Sequence, residues 1–210
     1  MKGCGVIIFA HRDALHALRL RCQDQISAYR AAKLARIRDG AEAERGLLAE
    51  FCLIEAVRRF DPDYPLPLVI ETGELGKPYI VGGPEISLTH AGDYAAAAVA
   101  DRPIGIDVER TRPITEALAR RICTPMEWET VWKPCRTDET FRNLFSAKES
   151  LVKLSGTGLM DIAKADTATT DVVRQLFFED YVLSAASAPQ TEWEVYRCER
   201  DGVSFSRFCF

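Results

Sequence analysis

The first hundred residues combine short apolar runs with one long periodic stretch. The run at residues 3–10 is flanked by charge and predicts a buried strand. At residues 43–59 apolar side chains recur at helical spacing, which predicts an amphipathic helix. Short strands separated by turns that contain Gly or Pro are predicted at residues 68–72, 78–81 and 86–88. The alanine-rich residues 94–100 indicate tight packing rather than a helix, because another apolar run follows an Asp-Arg-Pro turn.

The second half of the chain begins near residue 103 and predicts two helices followed by strands. Thr124-Pro125 and Glu127 are typical of an N-cap and first turn, so a helix is expected through Trp132. A second helix is expected at residues 138–154, where Ser-Gly-Thr-Gly ends it. Three alternating stretches in the tail predict antiparallel strands at residues 181–187, 193–199 and 203–210.

These elements follow one another without regular β-α-β alternation, which favours an α+β fold. The 210 residues suffice for one large domain or two small ones. No apolar run approaches about 18 residues and no signal-peptide cleavage site is visible, so no membrane association is expected. Seven scattered cysteines without a CxxC motif argue against a disulfide framework and a zinc site, and predict a reduced, cytoplasmic protein. The net charge of −4 argues against a general affinity for nucleic acid.

Two carboxylates stand two residues apart in the apolar run at residues 105–109. In a strand, Asp107 and Glu109 project to one face, while Ile106 and Val108 face the core. Carboxylates this close repel each other unless a cation or a proton lies between them, and such an oxygen pair suits Mg²⁺. The alternative, which this motif alone leaves open, is a strand end with two solvated acids.

A second group of charged residues lies on the predicted helix 138–154. Lys148 falls in the middle of its apolar stripe, where an unpaired ammonium would be costly. Glu149 and Lys153 are four residues apart on one flank. A surface ion pair is the commoner explanation of that spacing, but it leaves Lys148 unexplained. A carboxylate for a metal and ammonium groups for phosphates would explain all three.

Polar groups in turns add further candidates. Thr89 and His90 end a predicted strand at a Gly-containing turn, and His90 is a phosphate ligand, a base or a structural histidine. Lys77 lies in a Gly-Lys-Pro turn, where it is either solvated or a ligand contact. Residues 19–45 are rich in Arg and Lys. Most of them are expected on a solvated helix face, although Arg is well shaped for a phosphate monoester.

Together these segments resemble the 4′-phosphopantetheinyl transferase superfamily, in its longer, surfactin-synthetase-activating branch. The motifs occur in the family's order: GKPY at residues 76–79, SLTHAGDY at 87–94, GIDVE at 105–109, FSAKESLVK at 145–153 and GTGL at 156–159. The separation of Asp107 from Glu149 is that of the family signature. Phe145 stands where the branch usually has Trp, and Thr89 stands where it usually has Ser, which keeps a hydroxyl.

The resemblance implies two similar α+β halves, residues 1–102 and 103–210, which form a pseudo-dimer within one chain. The active site would lie in the cleft between them, so an active monomer is expected. The reaction implied is transfer of phosphopantetheine from coenzyme A to a serine of an acyl or peptidyl carrier protein. The serine attacks the β-phosphate, and 3′,5′-ADP leaves.

The resemblance also implies a role for each candidate residue. Mg²⁺ is held by Asp107, Glu109 and Glu149; Glu149 deprotonates the serine, alone or through a bound water, and Lys153 stabilises the pyrophosphate. The expected coenzyme A contacts are Lys77, Thr89, His90 and Lys148, with Arg36, Arg38 and Arg45 for the 3′-phosphate. Residues 110–135, which carry arginines and exposed apolar candidates, are predicted to form the carrier-protein dock. The alternatives are a catalytically inactive relative that only binds carrier protein or coenzyme A, and a Mg²⁺-dependent phosphatase or pyrophosphatase.

Overall fold

The computed structural model describes residues 3–158, 162–167 and 172–210. Leu159, which ends the GTGL motif, lies outside the described residues. The α-helices are α1 Leu15–Cys22, α2 Ala28–Leu34, α3 Gly40–Phe60, α4 Glu116–Ile122, α5 Pro125–Glu127, α6 Lys133–Cys135 and α7 Asp138–Ser155. The strands are β1 Gly3–His11, β2 Ile70–Thr72, β3 Pro78–Ile80, β4 Glu85–Ala91, β5 Tyr94–Ala100, β6 Ile104–Arg110, β7 Val173–Phe178, β8 Tyr181–Ser187, β9 Thr191–Cys198 and β10 Phe205–Phe208. Short 3-10 turns occupy Arg12–Ala14 and Gln23–Gln25, and a π-helical turn, Trp128–Trp132, joins α5 to α6.

The strands form one five-stranded sheet in the order β10-β9-β1-β5-β4, one three-stranded sheet in the order β6-β8-β7 and the small pair β2-β3. Helices and sheets are thus segregated as in an α+β fold, which confirms the predicted fold class. One long helix packs on each larger sheet: α3 covers β5 and β1, and α7 covers β6 and β8. The predicted boundary at residues 102 and 103 stays a prediction. The five-stranded sheet includes β9 and β10, which follow that boundary.

The tail strands differ from the sequence prediction in their pairing. Strand β8 is antiparallel to β6 and β7, and β10 is antiparallel to β9, as expected. Strand β9, however, runs parallel to β1, with Gly5 opposite Trp193. The alternation of apolar residues describes which face a strand buries and carries no information about its neighbour's direction. Strand β7 was not predicted, since Arg174 and Gln175 interrupt its apolar run.

The apolar runs of β1 and β5 are buried on both faces. Ile8 and the other residues of one face of β1 pack against α3, while Ile7 and Phe9 pack against the three-stranded sheet. All seven residues of β5 are buried, so the tight packing predicted at residues 94–100 is confirmed. A strand covered on both faces reads as a continuous apolar run rather than an alternating one.

Helix α3 begins at an N-cap and is more deeply buried than predicted. The Asp39 side chain accepts hydrogen bonds from the backbone N–H groups of Ala41 and Glu42, which otherwise lack intrahelical partners. Every residue from Gly46 to Val57 is buried, including two glutamates. The prediction of a helix is confirmed, but its amphipathic character is wrong over this stretch, because α1 and α2 cover the side away from the sheet.

In the second half, α5 and α7 begin where predicted, but the helical segment that starts at α5 continues past the predicted end at Trp132 to Cys135, and α4 was not predicted. Thr124 and Glu127 form a reciprocal capping box at the start of α5. Thr137 caps α7, and Gly156 ends it in a left-handed conformation with φ of 69°. Among the described residues, no helix combines the length and the hydropathy that a membrane crossing requires.

Candidate active site

Helix α7 packs directly on strand β6 because Gly105 has no side chain. A Cβ atom at this position would lie 2.1 Å from the carbonyl oxygen of Ser150 and 2.3 Å from the backbone nitrogen of Leu154. Any larger residue would therefore push the helix away from the strand. The close approach brings Glu149 and Lys153 of α7 beside the carboxylates of β6.

Strand β4 closes the other side of the site through its hydroxyl side chains. The backbone N–H groups of Ile106 and Val108 donate to the hydroxyl oxygens of Ser87 (3.0 Å) and Thr89 (3.2 Å). These side chains join the edge strands of the two larger sheets where no backbone ladder connects them. Thr89 also donates its hydroxyl hydrogen to Oδ1 of Asp107 at 3.0 Å. The hydroxyl predicted at this position thus orients the carboxylate of Asp107.

Asp107 is buried, and its two oxygens differ. Oδ1 accepts hydrogen bonds from Thr89 and from Nζ of Lys153, the latter at 2.7 Å. Oδ2 is buried without a hydrogen-bond partner among the described residues. A buried carboxylate oxygen is costly without a donor or a cation. This oxygen is therefore the strongest indication of a missing ligand.

The neighbouring carboxylates are difficult to ionise in the absence of a cation. Burial, reinforced by the charges of Asp107 and Glu149, raises the pKa of Glu109 to about 7, although Arg112 and Lys153 oppose the change. Burial and the charge of Asp107 raise the pKa of Glu149 to about 6. Lys153 lies 4.0 Å from Glu149, so the predicted i,i+4 pair exists, but its ammonium contacts Asp107 more closely.

The three carboxylates suit a hard divalent cation in their chemistry. Among the residues that the structure describes, no group of three His, Cys, Asp or Glu side chains has the geometry of a metal site. The orphaned oxygen of Asp107 and the raised pKa values of Glu109 and Glu149 nevertheless both mark excess negative charge that a cation would neutralise. Oxygen ligands of this kind are those that Mg²⁺ accepts.

A cavity of about 610 Å³ opens between the two larger sheets and holds most of the predicted residues. Its volume is typical of a small-molecule or cofactor site. The polar side chains that line it belong to Tyr29, Arg30, Lys33, Lys77, Ser87, Thr89, His90, Asp107, Glu109, Glu149 and Lys153. Carboxylates from β6 and α7 thus share one cavity with cations from α2, α7 and the turn before β3. An anionic ligand bridged to the carboxylates by a metal ion would suit this distribution of charge.

Lys77 and His90 line the cavity as predicted, each with partners of its own. Nζ of Lys77 donates to the carbonyl oxygen of Ile104 at 3.0 Å, and burial lowers the pKa of this ammonium, partly offset by Glu85. Nε2 of His90 lies 3.5 Å from Glu42. Burial lowers the pKa of His90, since it outweighs the opposing charge of Glu42. The lowered pKa favours the neutral imidazole, so the predicted role of His90 as a protonated phosphate ligand is the one that this environment favours least.

Lys148 does not reach the cavity, so the structure does not support its predicted role as a phosphate ligand. Its side chain is 0% exposed, and Nζ donates to Oε2 of Glu127 at 2.6 Å and to the carbonyl oxygen of Ala165. Although burial alone would raise the pKa of Glu127, hydrogen bonds from Lys148, Thr124 and Thr167 together lower it. The ammonium in the apolar stripe is explained by this buried ion pair.

The arginines predicted for the 3′-phosphate also lie outside the cavity. Arg36 and Arg38 are exposed beyond the end of α2. Arg45 donates two hydrogen bonds to Glu42, at 2.8 and 3.2 Å, and lines a much smaller neighbouring cavity. The basic segment does contribute cations to the main cavity, but they are Arg30 and Lys33. The N-cap at Ser27 marks where α2 starts, but it does not indicate which residues of the helix face the cavity.

The chain resembles known proteins over the part that carries these residues. The 4′-phosphopantetheinyl transferase superfamily matches residues 103–198. A 4′-phosphopantetheinyl transferase of Bacillus subtilis is 31% identical over 143 residues, 66% of this chain and 64% of the relative. The 4′-phosphopantetheinyl transferase psf-1 of Bacillus pumilus is 33% identical over 141 residues, 64% of this chain and 59% of the relative.

A third relative, the 4′-phosphopantetheinyl transferase Sfp of Bacillus subtilis (strain 168), is 30% identical over 138 residues, 64% of this chain and 62% of the relative. The matched part of the chain thus spans less than two thirds of each of these three relatives. The matched regions include Asp107, Glu109, Glu149 and Lys153 in the superfamily segment. With the ordered motifs and the shared cavity, these matches show that the chain is similar to the 4′-phosphopantetheinyl transferase superfamily and to relatives of its longer, surfactin-synthetase-activating branch.

Proposed function

We propose that the protein transfers the 4′-phosphopantetheine group of coenzyme A to a serine of an apo acyl or peptidyl carrier protein. The observation that carries this proposal is the juxtaposition of Asp107, Glu109, Glu149 and Lys153 in one cavity of about 610 Å³. Phosphoryl transfer depends mainly on positioning and on neutralising charge, and this cavity supplies cations and carboxylates for both. The relatives' names support the same activity.

Coenzyme A enters the cavity with its phosphates toward the cations. Lys33, Lys77 and Lys153 line the cavity with ammonium groups, and His90 lines it with an imidazole that can form a hydrogen bond. Lys153 is held by Asp107, so its ammonium is already positioned before a ligand binds. Mg²⁺, held by Asp107, Glu109 and Glu149, would supply the charge that neutralises the pyrophosphate oxygens.

Glu149 is the proton acceptor for the attacking serine. Its side chain lines the cavity beside Lys153, where it can accept the proton directly or through a bound water. The serine oxygen forms a bond to the β-phosphorus, its proton passes to Glu149, and the bond from that phosphorus to the departing 3′,5′-ADP breaks. Lys153 stabilises the negative charge that develops on the leaving phosphate.

The partners follow from this activity. The carboxylates of the cavity come from β6 and α7, and its cations come from α2, α7 and the turn before β3, so we infer that one chain contains a complete site. We therefore expect an active monomer, which acts in the cytoplasm on carrier proteins and has no role with nucleic acid or membranes. Light scattering of the active enzyme measures the first expectation, and an obligate trimer that loses activity on dilution would contradict it.

One experiment separates this function from its alternatives. The protein is incubated with apo carrier protein, coenzyme A and Mg²⁺, and the carrier is examined by intact mass spectrometry. A transferase adds the phosphopantetheine mass, an inactive binding relative adds nothing, and a pyrophosphatase consumes coenzyme A without modifying the carrier. The Asp107→Asn and Glu149→Gln variants should lose most turnover, whereas exposed Glu74→Gln should not. Wild-type turnover by Asp107→Asn at saturating Mg²⁺ would rule out the proposed metal ligands.

A further inference from the structure

A buried carboxylate on α3 holds one of the cations of the cavity. Glu50 is 0% exposed and lies deep in the helix, one residue after Ala49, which lines the cavity. Its Oε2 lies 3.5 Å from Nε of Arg30, a side chain that lines the cavity from α2. A buried carboxylate in a helix interior is costly without such a partner. The carboxylate of Glu50 therefore pairs with the Nε side of the Arg30 guanidinium.

The same carboxylate also holds the start of the helix that carries Arg30. Oε1 of Glu50 accepts a hydrogen bond from the backbone N–H of Ser27 at 3.1 Å. The hydroxyl of Ser27, itself 0% exposed, accepts from the backbone N–H of Arg30 at 3.1 Å and caps α2. One buried acid thus sets both the backbone and the side chain of the residue that faces the cavity.

The outer edge of the Arg30 guanidinium remains available. Within the described parts of the chain, Nη1 and Nη2 donate no hydrogen bond to a carboxylate or a carbonyl oxygen, although Arg30 is only 8% exposed. A Cβ atom on Gly46 would lie 3.0 Å from Nη1, so the absence of a side chain there leaves room for the group. Two parallel N–H groups on one edge are the arrangement that recognises a phosphate in bidentate fashion.

We propose that Glu50 is a positioning residue, which with Ser27 and Gly46 presents Arg30 as a preformed receptor for a phosphate monoester. The inference rests on the proposed function, in which coenzyme A occupies the cavity. The monoester of that molecule is its 3′-phosphate, which dephospho-coenzyme A lacks. Fixing the guanidinium before binding reduces the ordering that the ligand must otherwise impose. The role predicted for Arg36, Arg38 and Arg45 therefore passes to Arg30.

The test measures the dissociation constants of coenzyme A and of dephospho-coenzyme A by calorimetry, with the full chain and without carrier protein. Arg30→Met should weaken coenzyme A about tenfold or more, as expected for a charge-assisted contact, and leave dephospho-coenzyme A nearly unchanged. Glu50→Gln should weaken coenzyme A by a similar factor, again without affecting dephospho-coenzyme A. In the Arg30→Met background, Glu50→Gln should have no further effect on either ligand.

Two further variants separate positioning from a structural role. Glu55→Gln removes another buried acid of α3, one that pairs with Arg21 and Arg58. It should lower the Tm without changing the selectivity ratio, defined as the Kd of dephospho-coenzyme A divided by the Kd of coenzyme A. Gly46→Ala adds one methyl beside Nη1 of Arg30, at a helical position that favours Ala. It should therefore lower the selectivity ratio for coenzyme A over dephospho-coenzyme A while the Tm is maintained. If Glu50→Gln does not fold, Gly46→Ala still tests whether the placement of the Arg30 guanidinium sets the preference for coenzyme A over dephospho-coenzyme A.

The outcomes distinguish this inference from the function on which it rests. A wild-type protein that binds neither ligand overturns the proposed function and the receptor with it. A wild-type protein that binds coenzyme A, with the ratio unchanged in Glu50→Gln and Gly46→Ala, overturns the positioning role alone. Equal weakening of both ligands by Glu50→Gln, matched by Glu55→Gln, assigns Glu50 a structural role only.

Discussion

Replacing Glu109 by Gln should stabilise the folded protein at alkaline pH when no divalent cation is present. Glu109 lies partly buried beside Asp107 and Glu149, and this environment raises its pKa from an ordinary 4.5 to about 7. Ionised Glu109 is therefore held in the fold at a cost in free energy. Gln keeps the shape and the hydrogen-bonding oxygen of the side chain but carries no charge.

The sign of the pH dependence follows from the two pKa values. Because the folded value lies above the unfolded value, the folded state keeps a proton between about pH 4.5 and 7 that the unfolded state has released. The stability of the wild type relative to Glu109→Gln is therefore lost as the pH rises through this window. Each pKa unit corresponds to about 1.4 kcal/mol, so the difference at about pH 8 is roughly 2–3 kcal/mol after allowance for partial exposure.

Urea unfolding of both proteins in EDTA, at about pH 5 and about pH 8, measures this difference. The two unfolding free energies should be similar at the lower pH and should separate at the higher pH. Millimolar Mg²⁺ at the higher pH should stabilise the wild type and reduce the difference. Glu74→Gln, which removes an exposed acid from the turn before β3, serves as the control. Equal stabilities at the higher pH in EDTA would show that Glu109 is not confined with the other carboxylates.

Three further predictions concern residues around the cavity. Lys148→Met should reduce the free energy of unfolding by roughly 3–5 kcal/mol, because it leaves the carboxylate of Glu127 buried and unpaired. Urea unfolding of a Glu127→Gln, Lys148→Met double variant should show that stability is recovered. Gly105→Ala should destabilise the protein by roughly 1–3 kcal/mol and weaken Mg²⁺ binding, measured by unfolding and calorimetry, since its Cβ displaces α7. Reversing the charge of Arg120 and Arg121 together should raise KM for the carrier protein several-fold and leave KM for coenzyme A unchanged; a carrier KM that responds neither to this change nor to salt would place the dock elsewhere.

The residues of the predicted carrier-protein dock differ in their exposure. Met126 is 52% exposed, and the guanidinium of Arg120 lies 4.0 Å from the ring centroid of Trp128, so these residues form an accessible apolar and cationic surface. Trp132, in contrast, is buried against Phe141. Among these dock residues, only the exposed ones have the combination of arginine and apolar side chains that is common in interaction hot spots. The predicted dock at residues 110–135 accordingly depends on α4 and the start of α5.

The carboxylates of β6 and the charged flank of α7 were predictable because their patterns are local. A strand places Asp107 and Glu109 on one face, and a helix places Glu149 and Lys153 on one flank, whatever surrounds them. Capping chemistry at Thr124, at the start of a helix, is equally local. These features require only the repeat of the backbone, which the order of residues specifies directly.

Contacts between distant segments needed the tertiary structure. The partner of Lys148 is Glu127, which lies on another helix, and periodicity could indicate only that a partner was required. The sequence could not show which arginine or lysine of the basic segment lines the cavity, because the burial of Arg30 depends on Glu50 and on the space left by Gly46. The parallel pairing of β9 with β1 is set by how the chain returns across the sheet. Local propensity determines which elements form, whereas the neighbours of a side chain, and hence its charge state and access to a ligand, are determined only when those elements pack.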